Sequence, residues 1–209
     1  GPGVSFHCPH FHAEAGTLTA LWGPSGCGKS TMLNLISGLL RPDSGSVVVD
    51  GVPLHELSEG KLDHFRGDRM GFVFQTFNLL APFTALQNVM LAMRFSDRIP
   101  GGEWKDRASA LLGRVGLGHR LHSKPRTLSV GEQQRVAIAR ALVNDQKIIV
   151  ADEPTGNLDP KNAAAIMDLL LEVSRERKVT LIMVTHDHGN AERLDTVFDC
   201  SSLVEEVRP

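Results

Sequence analysis

Gly23-Pro24-Ser25-Gly26-Cys27-Gly28-Lys29-Ser30 fits the pattern G-x-x-x-x-G-K-[ST], and its flanks narrow the possible folds sharply. The apolar run 17–22 ahead of it reads as a strand. Residues 29–40 after it carry Met32, Leu33, Leu35 and Ile36 at helical spacing, and Arg41-Pro42 stops the pattern. A strand that feeds a glycine-rich loop opening a helix confines the chain to α/β architectures. Further strands are expected at 46–50, with a turn at Asp50-Gly51, and at 70–74, 147–151 and 179–184. A helix over 161–175 joins the last two, and strand, crossover helix and strand imply a parallel sheet. From Gln75 to about Val143 helical patterns replace the strands, at 85–93, 103–115 and 132–143, separated by Pro82, Pro100-Gly101-Gly102 and Pro125. The expectation is an α/β P-loop NTPase (RecA-like) core with a small antiparallel β part and an inserted α-helical subdomain. Residues 1–75 and 144–209 form the core and 76–143 the subdomain. With 209 residues, 42% of them hydrophobic, the chain is sized for one such domain. Gly1-Pro2 reads as a cloning or protease scar and is left out of the fold.

The chemistry of the loop follows from its backbone. Its glycines let successive N–H groups curl round a phosphate, and the helix start adds a favourable dipole. Gly23, Pro24, Ser25, Gly26, Cys27, Gly28, Lys29, Ser30 and Thr31 are therefore the nucleotide-binding candidates, with Lys29 reaching the β- and γ-phosphates and Ser30 joining a Mg2+ shell. Residues 148–151 are wholly apolar, as in a strand buried on both faces, and end in Asp152-Glu153. Asp152 suits a Mg2+ ligand, acting directly or through water, and Glu153 suits the group that polarises a water for in-line attack. These two elements alone leave kinase, GTPase, motor and transporter ATPase open.

Leu128-Ser129-Val130-Gly131-Glu132-Gln133-Gln134-Arg135, placed before a helix and ahead of Asp152, resembles the signature motif of ABC-type ATPases. Other pieces of that family's pattern stand in order: Gln75 after its strand, Asn157-Leu158-Asp159, and Thr185-His186-Asp187. The resemblance covers nearly the whole chain. It implies ATP hydrolysis with Mg2+, at a site sandwiched in a head-to-tail dimer of two ABC ATPase subunits, here a homodimer. It also implies a catalytic set of Glu153, His186, Gln75 and Lys29, and a metal set of Ser30, Gln75 and Asp152. Ser129, Val130, Gly131, Glu132 and Asp159 would then act across the dimer. Residues 71–80, the Glu-Gln-Gln-Arg form of the signature and residues 152–159 are similar to lipoprotein-release and macrolide-export ATPases. That likeness implies a membrane permease as partner and a cytoplasmic place at the inner face of the membrane. The apolar stretch 77–83 is either the permease contact or subdomain core. A non-transport ABC ATPase regulating a membrane or cell-envelope complex stays open as the alternative. A DNA-repair type fits less well, since no sustained heptads lie between Lys29 and Ser129. A small-molecule phosphotransferase conflicts with the signature.

Charge and composition exclude other classes. Lys plus Arg is 22 against 24 for Asp plus Glu, a net charge of -2, which gives no bulk-charge case for a nucleic-acid partner. Cys8, Cys27 and Cys200 are too few and too far apart in sequence for a disulfide framework or zinc site, and suit a reducing compartment. His7, His10 and His12 beside Cys8 lack matching ligands elsewhere. Cys27 packs like a serine or makes the loop thiol-sensitive.

Three departures from the family pattern stand out. Val130 replaces a usual glycine and would be strained if that position needs a positive φ. Residues 195–209 lack the usual closing strand and turn. The family stacks adenine on an aromatic, often tyrosine, ahead of the first glycine, and usually carries more chain there. This chain has no tyrosine, which leaves Phe6 or Phe11 as stand-ins and Trp22 as strand core.

Overall fold

The computed structural model describes residues 3–207, and the side chains of 5–204. In chain order the elements are β1 (Gly3–Phe6), β2 (Leu18–Trp22), α1 (Lys29–Ile36), β3 (Val48–Val49), β4 (Val52–Pro53), α2 (Glu59–Arg69), β5 (Met70–Phe74) and α3 (Ala85–Met93). There follow α4 (Trp104–Arg114), α5 (Val130–Leu142), β6 (Ile148–Asp152), α6 (Pro160–Glu176), β7 (Thr180–Thr185), α7 (His188–Ala191), β8 (Thr196–Asp199) and β9 (Val204–Val207). The five-stranded sheet runs β5-β6-β7-β2-β8 and is parallel throughout, as the crossover pattern requires.

Strand alternation explains why the core strands are apolar without interruption. Leu18 and Ala20 of β2, Ile149 and Ala151 of β6, and Leu181 and Met183 of β7 point into one cluster with α3, α4, α5 and α6. Their neighbours Leu21, Ile148, Val150, Ile182 and Val184 point into a second cluster with α1 and α2. Successive side chains leave a strand on opposite faces, so a sheet covered on both sides needs apolar residues at every position.

Local chemistry sets the element ends. α1 stops at Ile36, short of the expected Leu40, because Gly38 turns left-handed and the amides of Leu39 and Leu40 fold back onto Asn34 O. Asp50 and Gly51 both adopt positive φ and join β3 to β4 in the tight turn expected there. α2 was not expected, although Ser58 before Glu59, Leu62 and Phe65 on one face, and Arg66 and Arg69 in the last turn are helix signals. Val130 is the first residue of α5, in right-handed helical conformation, so its position does not need a positive φ and carries no strain of that kind. Residues 195–207 also depart from expectation, while 208 and 209 lie outside the described residues. β8 closes the edge of the main sheet beside β2, and β9 pairs antiparallel with β1.

Between β5 and β6 only helices occur. Asn88 on α3 is buried and organises the chain ahead of that helix. Its Oδ1 accepts from Leu80 N at 2.7 Å, and its Nδ2 donates to the carbonyls of Leu80, Phe83 and Thr84 at 3.0–3.2 Å. Replacing Asn88 by Ala is expected to destabilise the protein by about 2 kcal/mol, since it strands these groups away from a partner. Chemical denaturation checks the loss, and faster hydrogen exchange at 80–84 locates it.

Candidate active site

Register places the candidate residues side by side. Phe74 pairs with Asp152, Asp152 with Val184, and Trp22 with Thr185. Gln75, Glu153, His186 and Gly23 therefore emerge along one edge, at the carboxyl ends of β5, β6, β7 and β2. Neighbouring strands lie ~4.8 Å apart, so the row spans roughly 15 Å, and the carboxyl edge of a parallel sheet is where α/β folds bind ligands.

At the β2 end, the loop wraps over Cys27, whose amide donates to Pro24 O at 3.4 Å. Gly28 caps α1 with φ 92°, and a Cβ there would meet the Phe6 ring and Val204 at 2.8–2.9 Å, so only glycine fits. Lys29 is buried. Its Nζ donates to Gly23 O at 2.7 Å and Pro24 O at 2.8 Å, and lies 3.9 Å from Cys27 Sγ. Pro24, Ser25, Gly26 and Ser30 are exposed, while Thr31 is half-buried. Cys27 is buried, which favours packing over thiol reactivity. The three cysteines, distant in sequence, share the cluster beneath this loop, and burial pushes the Cys200 thiol up to about 12.

At the β6 end, Asp152 is half-buried. Burial first, and the adjacent Glu153 second, raise its carboxyl above the ordinary range, with Lys29 pulling the other way. Glu153 has φ 44°, an unfavourable conformation costing on the order of 1–3 kcal/mol that tends to gather at functional sites. Its amide donates to Val184 O at 3.1 Å, which aims the carboxylate toward β7. There His186 Nδ1 donates to Glu153 Oε1 at 2.9 Å. Gln75 is exposed and paired with Asn157: Asn157 Nδ2 donates to Gln75 O at 2.8 Å, and Gln75 Nε2 to Asn157 Oδ1 at 3.3 Å.

The arrangement suits a divalent cation bound with a polyphosphate. Among the described residues no group of three or more His, Cys, Asp or Glu could hold a metal alone. A Mg2+ site of this kind needs only one or two protein oxygens, with phosphates and water completing the shell. Asp152 meets that need, since a nearby cation would relieve its unfavourable charge, and Ser30 offers an open hydroxyl in the first turn of α1.

Ser129, Val130, Gly131 and Glu132 form a separate group at the start of α5. The Ser129 hydroxyl accepts from Glu132 N at 3.3 Å, and Glu132 accepts from Ser129 N at 2.8 Å and Arg120 Nε at 3.1 Å. The bond from Ser129 N leads in holding the Glu132 carboxyl below its usual range. The amides of Val130 and Gly131, in the first turn, have no acceptor within the helix. Asp159 caps α6 by accepting from Asn162 N at 3.1 Å and Nδ2 at 2.5 Å, which holds its carboxyl low. Asn162 Oδ1 in turn faces Gly131. Among the described residues, none of the four start-of-α5 residues is hydrogen-bonded to the phosphate loop.

Sequence reasoning passed over Gln134. It is fully buried on α5, and its Nε2 donates to Pro154 O at 2.5 Å, joining the signature helix to the turn after Glu153. A glutamine on the same helical face as Ile138 was the available signal. The aromatic stand-ins are both engaged: Phe6 packs on Gly28, and Phe11 meets Phe198 edge-on with ring centroids 5.1 Å apart.

Comparison with known proteins adds an independent line. Residues 6–156 match the family described as ABC transporter. The lipoprotein-releasing system ATP-binding protein LolD of Xanthomonas euvesicatoria is 47% identical over 195 residues, 93% of this chain and 80% of that protein. LolD of Pseudomonas fluorescens is 50% identical over 182 residues, 87% of this chain and 80% of that protein. Among solved structures, the dimeric post-hydrolysis state of the ATP-binding cassette MJ0796 bound to ADP and Pi superposes with TM-score 0.82. It is 40% identical, over 95% of this chain and 89% of that one.

A carboxyl raised by burial holds its proton more tightly in the folded than in the unfolded chain. Asp152 therefore favours the fold below the ordinary carboxylate range and disfavours it as pH rises through its raised value. Asp152→Asn is expected to raise the melting temperature of the nucleotide-free protein at pH 7 by roughly 2–4 °C. The gain should shrink at pH 4, as paired thermal melts at the two pH values will show.

Proposed function

The chain belongs to the ABC transporter family of ATPases, and from that membership we propose that it is the ATP-hydrolysing subunit of a transporter of the lipoprotein-release or macrolide-export type. The observation that carries this reading is the row of Gln75, Glu153, His186 and Gly23 along one sheet edge, with Glu153 and His186 already bonded at 2.9 Å. The loop amides of 23–28 and Lys29 bind the phosphates. Lys29 exchanges its two carbonyl partners for phosphate oxygens at little desolvation cost, being buried already. Ser30 and Asp152, with Gln75 as the third member of the set, would hold Mg2+, which when bound would neutralise phosphate charge. Glu153 takes the proton of the attacking water, while His186, with one N–H to give, exchanges that carboxylate for the γ-phosphate. Gln75 senses the site from the opposite end of the row.

The signature group is absent from this row within one chain, and Ser129 and Val130 are exposed. A second copy supplies them: its α5 start presents free amides and a positive dipole end to the γ-phosphate, so two sites form in a head-to-tail homodimer. Residues 76–143 act as the helical subdomain. The exposed Leu80 and Phe83 within 77–83 form its contact with a membrane permease. Among the described residues no helix is long and apolar enough to cross a membrane, which accords with a peripheral subunit at the inner face.

Glu153→Gln tests the assignment. ATP turnover is expected to fall by at least ~100-fold, with ATP-bound dimer accumulating in light scattering; turnover near wild type would refute the role. Because Phe6 and Phe11 are engaged with the protein, the base contributes little to binding. Stacking of the kind they would give is worth about 1 kcal/mol, so KM for GTP is expected within ~5-fold of that for ATP. Steady-state kinetics with both nucleotides checks this.

A further inference from the structure

Arg140 stands in the last turn of α5 and reaches the loop that follows β5. Its Nη1 donates to Asn78 O at 2.6 Å and its Nη2 to Phe77 O at 2.7 Å. Phe77 and Asn78 are consecutive residues with φ 59° and 47°. That left-handed conformation is tolerated by Asn78 but unfavourable for the bulky Phe77, where it persists only because the surroundings hold it. Burial alone lowers the Arg140 pKa, and no charged partner contributes, so the fork is spent on backbone carbonyls.

The reach depends on how closely α5 lies on β5. A Cβ at Gly71 would fall 2.0 Å from Ala141 O, so no side chain separates helix from strand. The same rigid helix carries Ser129 at its start and Gln134, bonded to Pro154 O, in its second turn. Gln75 lies just ahead of the clamped loop.

We infer that Arg140 is a positioning residue: its two-carbonyl clamp sets the 75–80 loop and makes Gln75 and the signature end of α5 move as one unit. Its consequence for turnover rests on the ATPase reading above; the clamp itself does not. A lysine at 140 keeps the charge but replaces two nitrogens, each meeting its own carbonyl, by a single nitrogen on a shorter stem without the planar fork. Phe77→Gly removes the left-handed cost at the strained one of the two clamped positions.

The experiment compares wild type, Arg140→Lys and Arg140→Lys/Phe77→Gly in the full chain. Amide hydrogen exchange at 75–80, without nucleotide, is expected to quicken ~10-fold in Arg140→Lys with the melting temperature unchanged. The kcat for ATP is expected to fall ~5- to 10-fold with KM within ~2-fold, and the double variant should recover at least about half the loss. Unchanged exchange at 75–80 overturns the proposal whatever the ATPase does. Joint loss of melting temperature, KM and kcat without recovery in the double variant also overturns it. A wild-type chain without ATP turnover would instead overturn the ATPase reading, because the exchange readout needs no nucleotide.

Discussion

Four parallel strands, β5, β6, β7 and β2, are locked in register by hydrogen bonds and by cores on both faces, and the candidate groups hang from their ends. A one-residue slip of any strand would turn its apolar residues to the wrong faces and move its terminal group by about 3.3 Å. Burial on both sides therefore fixes the chemistry as well as the fold. Gln75, Glu153, His186 and Gly23 follow strands that cannot shift without dismantling a core.

The strained backbone is distributed unevenly along that edge. Asp50, Asp145 and Lys178 take positive φ in surface turns, where Asp is well tolerated. Glu153, Phe77 and Asn78 take it beside the row of candidate residues, and of these Glu153 and Phe77 are strained, since Asn tolerates it as Asp does. Each of the latter is held by a partner from a different element: Val184 O and His186 for Glu153, Arg140 for the other two. α5 is the common support, since Gln134 and Arg140 both belong to it.

Electrostatically the site is built from backbone. Lys29 rests on carbonyls, and the loop of 23–28 offers amides. Burial and Glu153 disfavour the charge of Asp152 in the nucleotide-free fold, which a nearby cation would relieve. A net charge of -2 is compatible with polyphosphate binding for this reason, because loop amides and helix dipoles act only at short range.

Much of this was legible in the amino-acid order, because the relevant signals are local. The phosphate loop, the uninterrupted apolar strands, α3 at Ala85–Met93 and the Asp50-Gly51 turn follow from spacing within a few residues, which sets helix period, strand burial and turn geometry. Val130 shows the limit of local spacing: whether its position needs a positive φ stayed open in the sequence, and the structure makes it an ordinary first helical residue. The closing strands β8 and β9 were missed because short edge strands carry little pattern of their own and form where a neighbour offers free backbone. Only the tertiary structure decided that Glu153 meets His186, that Gln75 meets Asn157, that three scattered cysteines share one cluster, and that Arg140 grips Phe77 and Asn78. Those contacts join residues distant in the chain, and the strand order, the register and the closeness of α5 to β5 at Gly71 arise from packing, which no local spacing encodes.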